Sequence, residues 1–354
     1  MNRRDFLAIS AGVPLTARAP LTAIASFSPM TGSPSSIKLG IDLFSLRGQN
    51  WSAFQYLDYC AERKVQVVHF SEVRFIGGLQ PDHLRQVRQH AASLGIEVEI
   101  GMKSICPSSK MFDPKDGTAD EQLSRMLDSA QIVGSKIVRC VLGSADDRLP
   151  GPIEAHIEDM VRVLRAARPK AKDLGLKIAI ENHAGDMQAR ELRMLVEEAG
   201  PDFVGVCLDS GNPLWTIEDP HLTLEVLHPY VQTSHVRDSA VWRTPEGAAV
   251  TWVQMGRGNV GIDEYVRKYV SLCPGKALSL ESILLGPRQF PYRQPAFWDA
   301  YRKTPAWEFQ RFVEIAERGH PYRDEAWETK DEAKRERDAL DESLAYTKKI
   351  LGLT

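Results

Sequence analysis

The stretch "LKIAIENH" (residues 176–183) decides the fold. A short apolar run breaks into polar residues at Glu181. Three later stretches repeat the pattern. "FVGVCLDSGN" (203–212) breaks at Asp209, "YVQTSHVRD" (230–238) at His235, and "ALSLESI" (277–283) at Glu281. In a closed barrel of parallel strands all such ends point to one face. Three carboxylates and one imidazole meeting there would form a mixed-ligand site for a divalent metal.

Upstream, the chain alternates in the same way. "KLGIDLFSL", "VQVVHFSE", "IEVEIGM" and "KIVRCVLG" read as the first four strands. Helical patterns separate them, one of them ("PDHLRQVRQHAASLG") stopping at Gly95, and a long helix follows over 152–174. Further helices fit at about 189–199, 219–228 and 262–272. Eight strand–helix alternations predict an α/β fold, a (β/α)8 TIM barrel over residues 37–285. The nearly continuous apolar strands suit a sheet covered on both faces. The alternative is a doubly wound open sheet, but no GxGxxG turn follows the first strand.

Beyond residue 285 the character changes. Residues 286–354 read as an aromatic-rich loop and C-terminal helices packed on the barrel, the helices near 305–318 and 327–351. The charged run "ETKDEAKRERDALDESL" marks a solvated helix face. Phe290, Tyr292, Phe297 and Trp298 follow the eighth strand. They either belong to this helical layer or form a lid that lines the pocket.

The N-terminus reads as an export signal rather than as fold. Paired arginines, Arg3 and Arg4, precede an apolar stretch and a small-residue site at Ala23–Ala25. Residues 1–25 therefore predict a twin-arginine signal and a periplasmic or otherwise exported protein, and 26–36 a flexible lead. The rest of the 354-residue chain has no apolar run long enough for a membrane span, and no membrane anchor is expected after signal removal. A net charge of −3 gives no reason to expect nucleic acid as a partner. Homo-oligomer formation is left open. Cys60, Cys106, Cys140, Cys207 and Cys273 are an odd, scattered set without CxxC spacing, which argues against a disulfide framework.

A divalent cation needs several anionic or lone-pair donors on rigid elements, at about 2.0–2.3 Å. Glu181, Asp209, His235 and Glu281 at strand ends meet that need. Three negative charges suit Mn2+, Co2+ or Mg2+ better than structural zinc. The flanking residues are candidate substrate contacts: His183, Arg237, Asp238, Glu72 at the end of the second strand, and Trp215 as a stacking platform for a sugar ring. His69 reads as a packed strand residue. Gly256 and Gly258 read as shaping a tight turn.

Taken together, "IENH", "LDSGN", "HVRD" and "LES", with "GRGNVG" before the last barrel helix, resemble the xylose isomerase-like barrel superfamily. More narrowly, they resemble its sugar phosphate isomerase/epimerase members. The resemblance implies one divalent metal on Glu181, Asp209, His235 and Glu281, with Glu181 and Glu281 as the acid/base pair. Ketose 3-epimerases carry a His where Asn212 stands here, so Asn212 becomes a candidate substrate contact. The superfamily's apurinic endonucleases need that His and an Asp-x-His after the seventh strand, and this sequence has neither.

The implied activity is a metal-dependent sugar isomerase or epimerase. It would abstract a proton beside a carbonyl, through an enediolate that the metal stabilises. Two carboxylates on opposite faces of the sugar could take a proton on one side and return it on the other. A 3-keto-glycoside lyase on the same scaffold would begin with the same proton abstraction. A non-catalytic periplasmic sugar binder is the rival from another class, but it would need no acid/base pair.

Overall fold

The computed structural model describes residues 37–324, 327 and 330–353. The expected export signal and flexible lead lie outside the described residues. Eight parallel strands form a nearly closed barrel. They are β1 (Lys38–Asp42), β2 (Val67–Phe70), β3 (Glu97–Ser104), β4 (Ile137–Val141), β5 (Lys177–Glu181), β6 (Val204–Asp209), β7 (Val231–His235) and, eighth in the barrel, β10 (Ala277–Leu280). β10 pairs with β1. On its other side, Val236 N–H donates to Ser279 O at 2.7 Å and Glu281 N–H donates to Val236 O at 3.1 Å, which closes the ring.

Every residue of β4 and of β6 is buried. Helices cover one side of the strands and packed side chains fill the other, the arrangement expected of a parallel barrel. The helices are α1 (Ala53–Glu62), α2 (Val73–Ile76), α3 (Pro81–Ser93), α4 (Ala119–Val133), α5 (Ile153–Asp173), α6 (Ala189–Ala199), α7 (Pro220–Leu227) and α8 (Ile262–Leu272). Local sequence fixes their ends. Ser52 with Gln55 and Thr118 with Glu121 form capping boxes at α1 and α4, and Gly134 ends α4 in the left-handed region. In α5, Ile153, Ile157, Met160, Val161 and Leu164 recur at helical spacing and are buried.

Two features differ from the expected plan. Residues between β7 and α8 form a β-hairpin, β8 (Asp238–Thr244) and β9 (Gly247–Val253), which β11 (Arg288–Phe290) extends to a three-stranded antiparallel sheet. α9 (Ala306–Arg318) belongs to this hairpin: Asn259 Nδ2 donates to both Val241 O and Ile315 O at 3.0 Å. α10 (Glu332–Leu351) is not an outer layer. Tyr346 OH donates to Asp263 of α8 at 2.8 Å, and Arg63 at the end of α1 makes a two-point pair with Asp341 at 2.6 and 2.9 Å. α10 therefore stands in the barrel's eighth helical position, and the described residues make one compact unit.

All five cysteines are free and buried. Among the described residues, no helix is long and apolar enough to cross a membrane.

Candidate active site

The strand ends bring Glu181, Asp209, His235 and Glu281 together. One ligand atom of each lies within 4.8 Å of the others, and all four residues are buried. Asp209 and His235 are direct register partners on β6 and β7. Backbone geometry aims the group. Gly211 N–H and Asn212 N–H both donate to Asp209 Oδ1 at 2.7 Å. Asn182 exchanges two 2.9 Å bonds with the Asp209 backbone, tying the ends of β5 and β6.

Two arginines balance the carboxylates. Arg139 of β4 donates from Nε to Glu181 Oε2 at 2.6 Å, and its Nη2 lies against the same oxygen. Arg237 places Nη2 against both Asp209 Oδ2 and Glu281 Oε2. Its Nε and Nη1 are buried without partners, and its guanidinium lies 4.2 Å from the Trp252 ring centroid. Burial alone would raise the Glu181 carboxyl, but Arg139 and His235 hold it well below the usual carboxylate range. Burial raises Asp209, against the pull of Arg237.

Beneath these residues the barrel interior is polar. His235 Nδ1 faces the carboxylates, 3.1 Å from Glu181 Oε2 and 3.6 Å from Glu281 Oε2. Its Nε2 faces down, 3.5 Å from Asp42 Oδ2 and 2.9 Å from His69 Nδ1. Burial, and then the neighbouring His235 and Arg139, pushes His69 well below the usual imidazole range. Asp42 Oδ2, His69 Nε2 and His235 Nδ1 are buried without an aligned hydrogen bond. An imidazole nitrogen aimed without a partner at three carboxylates fits a divalent cation as a fourth donor.

The candidate substrate contacts separate into two groups. Glu72, His183, Asn212 and Arg237 line the cavity that opens over the carboxylates. Asn212 Nδ2 donates to Glu181 Oε1 at 3.1 Å, and His183 Nδ1 is 2.7 Å from Gly143 O. Asp238 and Trp215 are placed elsewhere. The Asp238 carboxylate takes the backbone N–H groups of Ser239, Gly256 and Gly258 at 2.7–2.9 Å, so it fixes the glycine turn. Trp215 stacks on Trp252 at 4.3 Å and 8°, and it is Trp252 that lines the cavity. Phe290 and Tyr292 pack on Phe312, and Trp298 on Phe309, so these rings serve α9. Phe297 stacks on Tyr301.

Sequence reading missed Asp42, Lys103, Arg139 and Trp252. Arg139 carried a signal, a cation in the middle of the apolar run "KIVRCV". Asp42 breaks "KLGID" just as Glu181 breaks its own strand.

An acidic and histidine cluster at the C-terminal mouth of a parallel barrel is the arrangement of a (β/α)8 protein whose working face is built from strand ends. The chain belongs to the xylose isomerase-like TIM barrel family, whose model matches residues 57–271. It is 25% identical over 187 residues to the 3-oxo-isoapionate decarboxylase of Pectobacterium atrosepticum, a match covering 53% of this chain and 61% of that one. The chain spans only about half to three fifths of the length of the curated relatives it matches (53% and 61%). Its fold is similar to D-psicose 3-epimerase in the presence of D-fructose, at 18% identity and a TM-score of 0.58, over 89% of this chain and 100% of that one. It is also similar to the IOLI protein with a binding zinc atom, at 16% identity and a TM-score of 0.55, over 79% and 96% of the two chains.

Proposed function

We propose that this protein is an enzyme that isomerises or epimerises a small keto-sugar by moving a proton on carbon next to a carbonyl. One observation carries the reading: Glu181 and Glu281, at the ends of different strands, face one cavity, Glu181 paired with Arg139 and Glu281 with Arg237, which Asp209 shares. A pair of carboxylates on opposite sides of a substrate can remove a proton at one face and return one at the other. Glu181, Asp209, His235 and Glu281 would hold one divalent cation, with Mn2+, Co2+ or Mg2+ preferred on donor type. When bound, it would polarise the carbonyl and stabilise negative charge that develops on oxygen.

In this reading Glu281 takes the carbon-bound proton and Glu181 manages the proton on the other face. Asn212 keeps Glu181 oriented through Nδ2. His183 and Glu72, at the cavity wall, bind sugar hydroxyls. Similarity to an epimerase fold and to a decarboxylase sequence supports carbonyl-adjacent chemistry of this kind.

Glu281→Gln should abolish exchange of the substrate's carbon-bound proton with deuterated water while much of the metal affinity remains. Exchange at the original rate would remove Glu281 from the role of base. A 3-keto-glycoside lyase is the second reading, favoured by a larger, partly apolar cavity that adjoins the carboxylate cavity through Glu72, Lys103 and Met111, and product analysis separates the two. A rearranged sugar marks the isomerase and a released aglycone the lyase. Export by the twin-arginine route is part of the proposal and rests on Arg3, Arg4 and the apolar stretch that follows. Fractionation of cells expressing the tagged full chain tests it.

A further inference from the structure

The cavity over the carboxylates measures about 100 Å³. That is less than the roughly 300–1,000 Å³ of an ordinary small-molecule site. A second cavity of about 480 Å³ adjoins it, and the two share Glu72, Lys103 and Met111 as walls. The second cavity lies on the rim between β3, α2 and α4. Val73, Leu79, Met102 and Met126 supply its apolar lining.

The polar side chains around this groove are largely engaged. Arg74 Nε donates to Glu72 Oε2 at 2.5 Å. Gln122 Nε2 donates to Asp113 O at 2.7 Å and Gly117 O at 2.8 Å, and Arg125 donates to Asp116 O. They hold the loop after β3 and leave few groups free to meet sugar hydroxyls. Thioethers and aliphatic side chains remain, and methionines adapt to varied apolar shapes. Glu72, Asp113 and Asp116 offset Arg74, Lys103 and Arg125 in the lining, so the groove carries no net formal charge and suits an uncharged occupant. Lys103, at the junction of the two cavities, is exposed.

We propose that the groove holds the non-reacting part of the substrate, an uncharged aromatic aglycone, while the linked keto-sugar ring sits among the carboxylates. The proposal rests on the keto-sugar reading above and narrows its substrate class to aryl keto-glycosides. The shared walls put both halves of one molecule within reach. Neither a free monosaccharide nor a disaccharide would use the apolar lining.

Calorimetric titration of the full chain with excess Mn2+ tests this, using phenyl 3-keto-glucoside, methyl 3-keto-glucoside and a 3-keto-disaccharide. The phenyl glycoside should bind about tenfold more tightly than the methyl glycoside, the gain expected from burying most of a phenyl ring. Leu79→Asp should erase that advantage and leave methyl glycoside binding unchanged. The proposal is overturned if phenyl and methyl glycosides bind equally, if the keto-disaccharide binds best, or if Leu79→Asp weakens both glycosides alike. Should Leu79→Asp fail to fold, the wild-type ratio of phenyl to methyl binding decides alone. Deuterium exchange on the methyl glycoside, run in parallel, isolates the catalytic reading. Exchange without phenyl preference defeats the groove only, and phenyl preference without exchange defeats the catalysis only.

Discussion

His69 Nδ1 lies 2.9 Å from His235 Nε2, with both rings fully buried inside the barrel. A ligating histidine is normally held by a partner on its second nitrogen, which fixes the tautomer and the ring plane. Here that partner is another imidazole, with Asp42 Oδ2 also 3.5 Å away. His69→Leu keeps the volume apolar and removes the contact. Divalent metal affinity should fall by roughly 10–100-fold, read by competition with a chelating dye. If affinity is unchanged and only the unfolding temperature drops, His69 does no more than pack.

Arg237 supplies a second test. Its guanidinium contacts both Asp209 and Glu281 in a buried setting. Arg237→Met leaves those carboxylates without their cation, which costs on the order of 3–5 kcal/mol for a broken buried pair. Excess Mn2+ should restore much of this loss, because it would neutralise the same oxygens. Thermal unfolding of both proteins with and without Mn2+ measures the difference. An equal deficit in both conditions would mean that the metal and Arg237 do not share Asp209 and Glu281.

The four strand ends were legible because each is an apolar run that stops at an ionisable residue, a local signal. The eighth helix was not. α10 is far along the chain from β10, and its dense charge pattern reads as a free surface although Leu340, Leu344 and Thr347 are buried. The hairpin was missed for another reason. "SAVWRTPEGAAVTWV" has turn residues between two strand-like halves, but barrel periodicity claims that span for a connection. Asp238 was misplaced because its neighbour His235 points into the barrel mouth. Past the end of β7 the chain leaves the barrel for the hairpin, and that carboxylate turns to the glycine loop. The polar pairing of Asp42, His69 and His235 links three strands and cannot be read from any one stretch.

Metal uptake should release a proton. Burial alone would lower the His235 imidazole, but Asp42 and Glu181 raise it above its ordinary 6.5. In the metal-free protein the ring therefore keeps its proton to higher pH than a free imidazole does, and a ligating nitrogen must first lose its proton. Affinity should weaken as pH falls through and below that raised value. Roughly one proton per ion should appear when calorimetry is repeated in buffers of different ionisation enthalpy. Uptake that is independent of both buffer and pH would show that His235 Nδ1 is not a ligand.

Glu218 gives a stability prediction away from the site. It is 2% exposed, takes the Thr223 hydroxyl at 2.5 Å, and receives the Ala189 N–H at the start of α6. Burial lifts its carboxyl from 4.5 to about 7, against those hydrogen bonds. An acid raised on folding binds more protons in the native state than in the unfolded one. Stability should therefore decline as pH rises from 4.5 to about 7 and level off above that. The full decline from this one group is about 3 kcal/mol. Glu218→Gln retains an acceptor for Thr223 or Ala189 and cannot ionise, so it should lose this slope and gain on wild type at alkaline pH. Urea unfolding of both proteins at about pH 5 and about pH 8 reads the difference directly. If the gap between them does not change with pH, Glu218 is not held neutral by its burial.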